Sequence, residues 1–207
     1  NDDGLSELTG GFSCHENKVY DLLKSLNVNL FVHNRNLGFE LDFYLPEKGL
    51  AIECSPLATH NSNEYAQFGI AFKPKLPNYH YNKYKVASEN GIHLVTLFEK
   101  QLDDSVWFDK TVPMLRRLVL GHADVTIYAR ETVVRSMNQP NDKKLVDTFL
   151  ERYHMDGKTP AKFRYGMFYQ NELVAVATFA TPVSEKYKHD YIELKRLAFK
   201  SNIQVRY

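Results

Sequence analysis

Asp42 and Glu53 are the residues whose types and spacing point most directly to chemistry. They lie on either side of Pro46-Glu47-Lys48-Gly49. If those four residues form a turn, Leu45 opposes Leu50, Phe43 opposes Ile52, and Asp42 opposes Glu53 across an antiparallel ladder. Directly opposed side chains carry Cβ atoms roughly 4.5 to 5.5 Å apart. Two carboxylates at that separation repel unless a cation lies between them, and a hard divalent ion such as Mg²⁺ suits oxygen ligands of this kind. A metal so held polarises a phosphodiester while a neighbouring base activates water. The plain structural alternative is a pair of solvated acids on an exposed sheet face.

Hydrophobic periodicity supplies the elements that must position the pair. Apolar residues take the odd positions of Leu37–Leu45, and Leu50, Ile52 and Cys54 continue the alternation, which predicts a hairpin. Before it, Ser13 and Glu16 stand at capping-box spacing ahead of Val19, Leu22, Leu23 and Leu26, which predicts a helix from Ser13. After it, Ser55–Pro77 shows no clear period and is read as a long functional loop. Tyr79–Asn90 reads as a helix closed by Gly91, Ile92–Phe98 as a buried strand with His93 packed inside it, and Asp104–Leu120 as an amphipathic helix ending at Gly121. The second half has strand-like Val125–Val134, a helix around Asp142–Tyr153, a hairpin turning at Gln170-Asn171-Glu172, and a last strand over Tyr191–Phe199. The fold class is α+β, with a lead-in over 1–12, a first domain over 13–121 and a second over 122–207.

With 207 residues and 43% hydrophobic composition, the chain can bury one large core or two small ones, and two domains are expected. Its 26 basic and 25 acidic residues leave a net charge of +1, so nucleic-acid binding has to come from a local patch and not a global field. Cys14 and Cys54 stand alone, without zinc-site spacing. Isolated cysteines, no signal peptide and no long apolar run point to a soluble cytoplasmic protein.

A common nuclease arrangement pairs an Asp on one hairpin strand with Glu-x-Lys on the next. Ser55 stands here at the lysine's position, so another base is needed; His60, at the mouth of the loop, suits proton transfer at neutral pH. Glu40-Leu41-Asp42-Phe43-Tyr44-Leu45-Pro46, Leu50-Ala51-Ile52-Glu53-Cys54, His60, Tyr79-His80-Tyr81-Asn82-Lys83-Tyr84-Lys85 and Gly91-Ile92-His93-Leu94-Val95 together resemble the EDxHD homing endonucleases of phages. Those enzymes are similar to the very-short-patch repair endonucleases, on the PD-(D/E)XK nuclease fold. The resemblance covers the first half of the chain. It implies that Asp42 is the principal metal ligand with Glu53 joining it, that His60 is the catalytic histidine, and that Glu16 is the leading catalytic glutamate. It implies Mg²⁺ as cofactor, with Mn²⁺ able to substitute, and double-stranded DNA as partner, bound by a monomer or homodimer in the cytoplasm, the host's if the chain is phage-encoded. The family's final Asp has no counterpart between His60 and Tyr79.

Lys73 and Lys75 in the loop, with His80, Lys83 and Lys85 on the following helix, are the candidate DNA contacts. His80 and Lys83, three residues apart, share a helix face that could meet a phosphate, the plain alternative being a solvated basic face. The second half resembles the GNAT-like acetyltransferase-fold domain appended to some phage endonucleases, here truncated. It has no glycine-containing turn at a helix N-terminus to cradle pyrophosphate, and it reads as a DNA-positioning module. The expected activity is a metal-dependent endodeoxyribonuclease of homing type. The alternatives are a non-cleaving DNA-binding protein on a degenerate nuclease scaffold and a group-transfer enzyme using the second domain.

Overall fold

A computed structural model describes residues 12–55, 65–67, 70–72 and 78–207. The chain is α+β and divides into two compact units, Asn1–Phe108 and Asp109–Tyr207. Among the described residues no helix is long and apolar enough to cross a membrane.

The first unit opens with α1 (Cys14–Ser25), which begins where the sequence predicts. Ser13 Oγ accepts the Glu16 N–H at 3.2 Å, and Glu16 Oε2 accepts the Ser13 N–H at 2.6 Å. Val19 and Leu23 bury the helix's apolar stripe. Four strands follow in the spatial order β1 (Phe31–Asn34), β2 (Leu41–Leu45), β3 (Leu50–Ser55) and β6 (His93–Phe98). The first three are antiparallel, whereas β6 runs parallel to β3. Between β3 and β6 lie a short hairpin, β4 (Tyr65–Gln67) and β5 (Ile70–Phe72), and the helix α2 (Tyr79–Glu89).

The register is the expected one, with Phe43 opposite Ile52 and Leu45 opposite Leu50. Its turn depends on Gly49, whose φ of 54° lies in the left-handed region. A Cβ there would stand 2.9 Å from the Gly91 carbonyl oxygen, and the Gly49 carbonyl accepts the His93 N–H at 2.7 Å. One glycine thus closes the hairpin and stitches β6 to β3. Strand β3 is central and wholly buried, and its Ala51 packs with Leu41, Ile92 and Ala87 of α2.

The second unit takes its own sheet in the order β11 (Glu193–Phe199), β10 (Glu172–Ala180), β9 (Phe163–Tyr169), β8 (Thr132–Ser136), all antiparallel. Helix α5 (Pro140–Tyr153) covers it through Val146, Phe149 and Leu150, packed with Phe168, Leu173, Val176 and Ala198. A parallel pair, β7 (Val125–Tyr128) and β12 (Ile203–Arg206), carries Ile127 and Ile203 into a second cluster with Val174.

Several expectations change. Strand β2 starts at Leu41 and not Leu37, because a turn carries Gly38 at φ 82° and bonds its N–H to the Arg35 carbonyl. Val125–Val134 is two strands in different sheets, parted by a 3-10 turn over Ala129–Glu131. The segment Ser55–Pro77 is not all loop, since it holds β4 and β5. His93 is exposed where a packed histidine was expected. A short helix α3 (Glu99–Asp103) precedes α4 (Ser105–Leu120), and the division between units falls near the start of α4, whereas its end at Gly121 was the expected boundary.

Candidate metal centre

Past Phe43 and Ile52, the β2–β3 ladder gives way to side chains. The Asp42 N–H donates to Glu53 Oε1 at 3.3 Å, and the Cys54 N–H donates to Asp42 Oδ2 at 2.7 Å. Each carboxylate thus takes a backbone donor from the opposite strand, and Asp42 and Glu53 do meet across the hairpin. Their roles then diverge. Glu53 is almost completely buried, and its Oε2 lies 2.5 Å from the Lys83 ammonium of α2, itself only 6% exposed. Both Glu53 oxygens are therefore engaged. Asp42 is half-buried, and a ligating oxygen of Asp42, one of Glu16 and a ring nitrogen of His33 all lie within 4.8 Å of one another.

The carboxyl groups feel this crowding. Burial, reinforced by the charge of Asp42, pushes Glu53 up to about 7 despite the adjacent Lys83. Burial also raises Asp42, with the charges of Glu16 and Glu40 adding to it and the Cys54 N–H and Lys83 opposing. Burial would raise Glu40 as well, but Arg35, which donates to its Oε2 from Nε at 2.8 Å and from a terminal nitrogen at 2.5 Å, and His33 beside it hold Glu40 below its ordinary value. When ionised, the four carboxylates Glu16, Glu40, Asp42 and Glu53 face two permanent cations, Arg35 and Lys83, which leaves a deficit of two positive charges. A divalent cation fits that deficit and would offset the burial, and the charges of Glu16 and Glu40 after it, that raise Asp42. An open recess of about 530 Å³ leads to this point, lined by Arg35, Phe39, Glu40, Asp42, Glu53, Tyr79 and Lys83.

The predicted site residues therefore separate. Glu16 and Asp42 come together, while Glu53 stands beside Asp42 but is tied to Lys83. Lys83 departs from both expectations, a helix side open to a DNA phosphate and a solvated one. It is buried with its ammonium 5.5 Å from the Phe39 ring centroid, whereas His80 is exposed on the same helix and Lys85 is exposed beside Glu89. A lysine locked this way cannot track a DNA backbone. His60, Lys73 and Lys75 lie outside the described residues.

Sequence reasoning missed Lys83 as a partner of Glu53 and missed His33 altogether. The signal for Lys83 is its i, i+4 relation to Ala87, the residue that anchors α2 in the core. The signal for His33 is the run Leu30-Phe31-Val32 bounded by Asn29 and Asn34, a short strand adjoining the hairpin.

No protein-family model matches the chain, and no curated protein matches it. Among solved structures the chain is similar to the catalytic domain of the homing endonuclease I-Bth0305I, with 24% identity over 53% of this chain and 97% of that one and a TM-score of 0.40.

Proposed function

We propose that the first unit is a PD-(D/E)XK-type nuclease core and that the protein is a metal-dependent DNA endonuclease of the EDxHD homing type, acting on double-stranded DNA in the cytoplasm. The observation that carries this reading is the deficit of positive charge where Asp42 meets Glu16 and Glu53 at the end of the β2–β3 hairpin, beside an open recess. A divalent ion bound there supplies Lewis acidity to the scissile phosphate. Asp42 and Glu16 hold the ion. Glu53, fixed by Lys83, keeps Asp42 in place through the exchange of backbone donors between the strands. Lys83 brings from α2 the ammonium that Ser55 does not offer at the third position of the strand, and it faces the recess where a phosphate and its attacking water would lie. His60 remains, through the family resemblance, the proton-transfer group. The second unit serves as a DNA-positioning module.

The test is a cleavage assay on mixed DNA in Mg²⁺, Mn²⁺ or EDTA, with the ends sequenced. Cutting that needs a divalent ion and disappears in Asp42→Ala supports the reading. Full activity of Asp42→Ala sinks it. Tight DNA binding with no turnover in either metal favours the degenerate scaffold, to which the missing final Asp points.

A further inference from the structure

His33 has no part in the reading so far, yet its surroundings are those of a held ligand. The pairs Phe31 with Tyr44, Val32 with Phe43 and Asn34 with Leu41 place His33 opposite Asp42, at the one position of that stretch where the ladder is interrupted. There its φ is 49°, a left-handed conformation uncommon among non-glycine residues. The imidazole is fixed on two sides. Phe12 stacks on it with ring centroids 5.5 Å apart, and Nδ1 lies 3.4 Å from Glu40 Oε1. Glu40 is fixed in turn by the two Arg35 donors on its other oxygen.

We infer that His33 is the third protein ligand of the metal, bound through Nε2, and that Glu40 orients it from Nδ1, so that the centre takes a later first-row transition ion such as Co²⁺ in preference to Mg²⁺. Three observations converge on this. A ring nitrogen of His33 and oxygens of Glu16 and Asp42 lie within 4.8 Å of one another. A carboxylate on the second ring nitrogen is the usual support of a metal-binding imidazole, since it sets the tautomer and the ring orientation. Glu53, the oxygen donor that an all-carboxylate Mg²⁺ site would recruit, has both oxygens engaged. What is left is one nitrogen and two carboxylates. Imidazole suits the later transition ions, whereas Mg²⁺ and Mn²⁺ favour oxygen.

This assignment rests on the proposed metal centre but not on DNA cleavage, so it is tested without DNA. Isothermal titration calorimetry of the whole chain with Co²⁺, Mn²⁺ and Mg²⁺ compares wild type with His33→Ala, His33→Gln and Glu40→Gln, with circular dichroism checking that each is folded. Wild type is expected to bind Co²⁺ at least about tenfold more tightly than Mg²⁺. Both His33 variants should lose that preference, with Co²⁺ affinity falling by more than Mg²⁺ affinity. Glu40→Gln should weaken Co²⁺ binding by about 10-fold or more, as the loss of a supporting partner does. Equal Co²⁺ affinity in wild type and a folded His33 variant overturns the inference and leaves an oxygen-only nuclease centre standing. A wild-type chain that binds none of the three ions overturns it as well, and metal-dependent cleavage measured on the same preparation then shows whether the nuclease reading falls with it.

Discussion

Two hairpins of this chain, β2–β3 and β9–β10, are built by the same rule and put to different use. In the second unit, β9 and β10 meet at Gln170-Asn171, with φ values of 48° and 65° that suit a two-residue turn twisting with its strands, and Tyr169 pairs directly with Glu172. Apart from Thr178, the buried residues of β10 are apolar: Leu173, Val174, Ala175 and Val176. In the first unit, β2 and β3 pair as regularly as far as Phe43 and Ile52, and then two carboxylates replace the ladder. A strand buried on both faces has no structural reason to carry an acid such as Glu53. Burying a charge is costly unless it is paired and hydrogen-bonded. The β9–β10 hairpin shows what this chain builds for stability alone, and the β2–β3 hairpin shows what it tolerates at a site.

The contrast breaks most sharply at Asp42. If the end of the first hairpin exists for chemistry, Asp42→Asn keeps an acceptor for the Cys54 N–H and preserves the fold while removing the ligand. DNA cleavage in Mn²⁺ should then fall about a thousandfold, as expected when several kcal/mol of metal assistance is lost. Thermal melting should show no loss of stability. A fold that collapses while the specific activity of the surviving fraction is normal would mean that the pair is structural.

Lys83 comes next. Lys83→Met leaves Glu53 buried without its cation, and removing one partner of a buried pair costs about 3 kcal/mol or more. Adding Glu53→Gln in the same chain should recover most of that loss, since no uncompensated charge remains. Denaturant unfolding followed by fluorescence reads this cleanly, because Trp107 is the only tryptophan and belongs to the first unit. If the double variant is no better than the single one, the ion pair is not what holds α2 on the sheet.

These two variants also mark how far the sequence can be read. Alternation and the four-residue turn are local properties, so the hairpin, its register and the meeting of Asp42 with Glu53 were legible, as was the Ser13–Glu16 capping box. Lys83 was not, because its partner lies on another element and a lysine on a mixed helix looks like surface. His33 was not, because β1 is four residues long and its ligand-like setting depends on a left-handed backbone that no residue type announces. The division of Val125–Val134 between two sheets was hidden for the same reason: a continuous β-prone run says nothing about which neighbour each part will find.

The pH dependence sharpens the comparison without a mutation at the metal ligands. Glu53 has its folded value raised to about 7 from an ordinary 4.5, so the folded state holds a proton that the unfolded chain releases. Its stabilising contribution is complete below about pH 4.5 and disappears as pH rises through 7. The metal-free first unit should therefore lose stability on the order of 2 kcal/mol between pH 5 and pH 8, read from Trp107. Glu53→Gln should flatten that slope. The buried residues of β9 and β10 include no carboxyl group, so hydrogen exchange there should show no such decline.

The smallest effect belongs to the second hairpin. Thr178 is buried in β10, and its hydroxyl has no hydrogen-bond partner among the described residues. An unsatisfied buried hydroxyl is a cost with no return unless a ligand uses it. Thr178→Val keeps the shape and the strand preference, and it should stabilise the second unit by about 1 kcal/mol, seen as slower hydrogen exchange in β9 and β10, with DNA cleavage unchanged. The corresponding removal of a buried polar group in the first hairpin, Glu53→Leu, should damage cleavage and destabilise the first unit, since it leaves the Lys83 ammonium buried without its partner. If instead Thr178→Val impairs cleavage or destabilises its sheet, the hydroxyl has a partner in the working protein, and the second hairpin too carries a site.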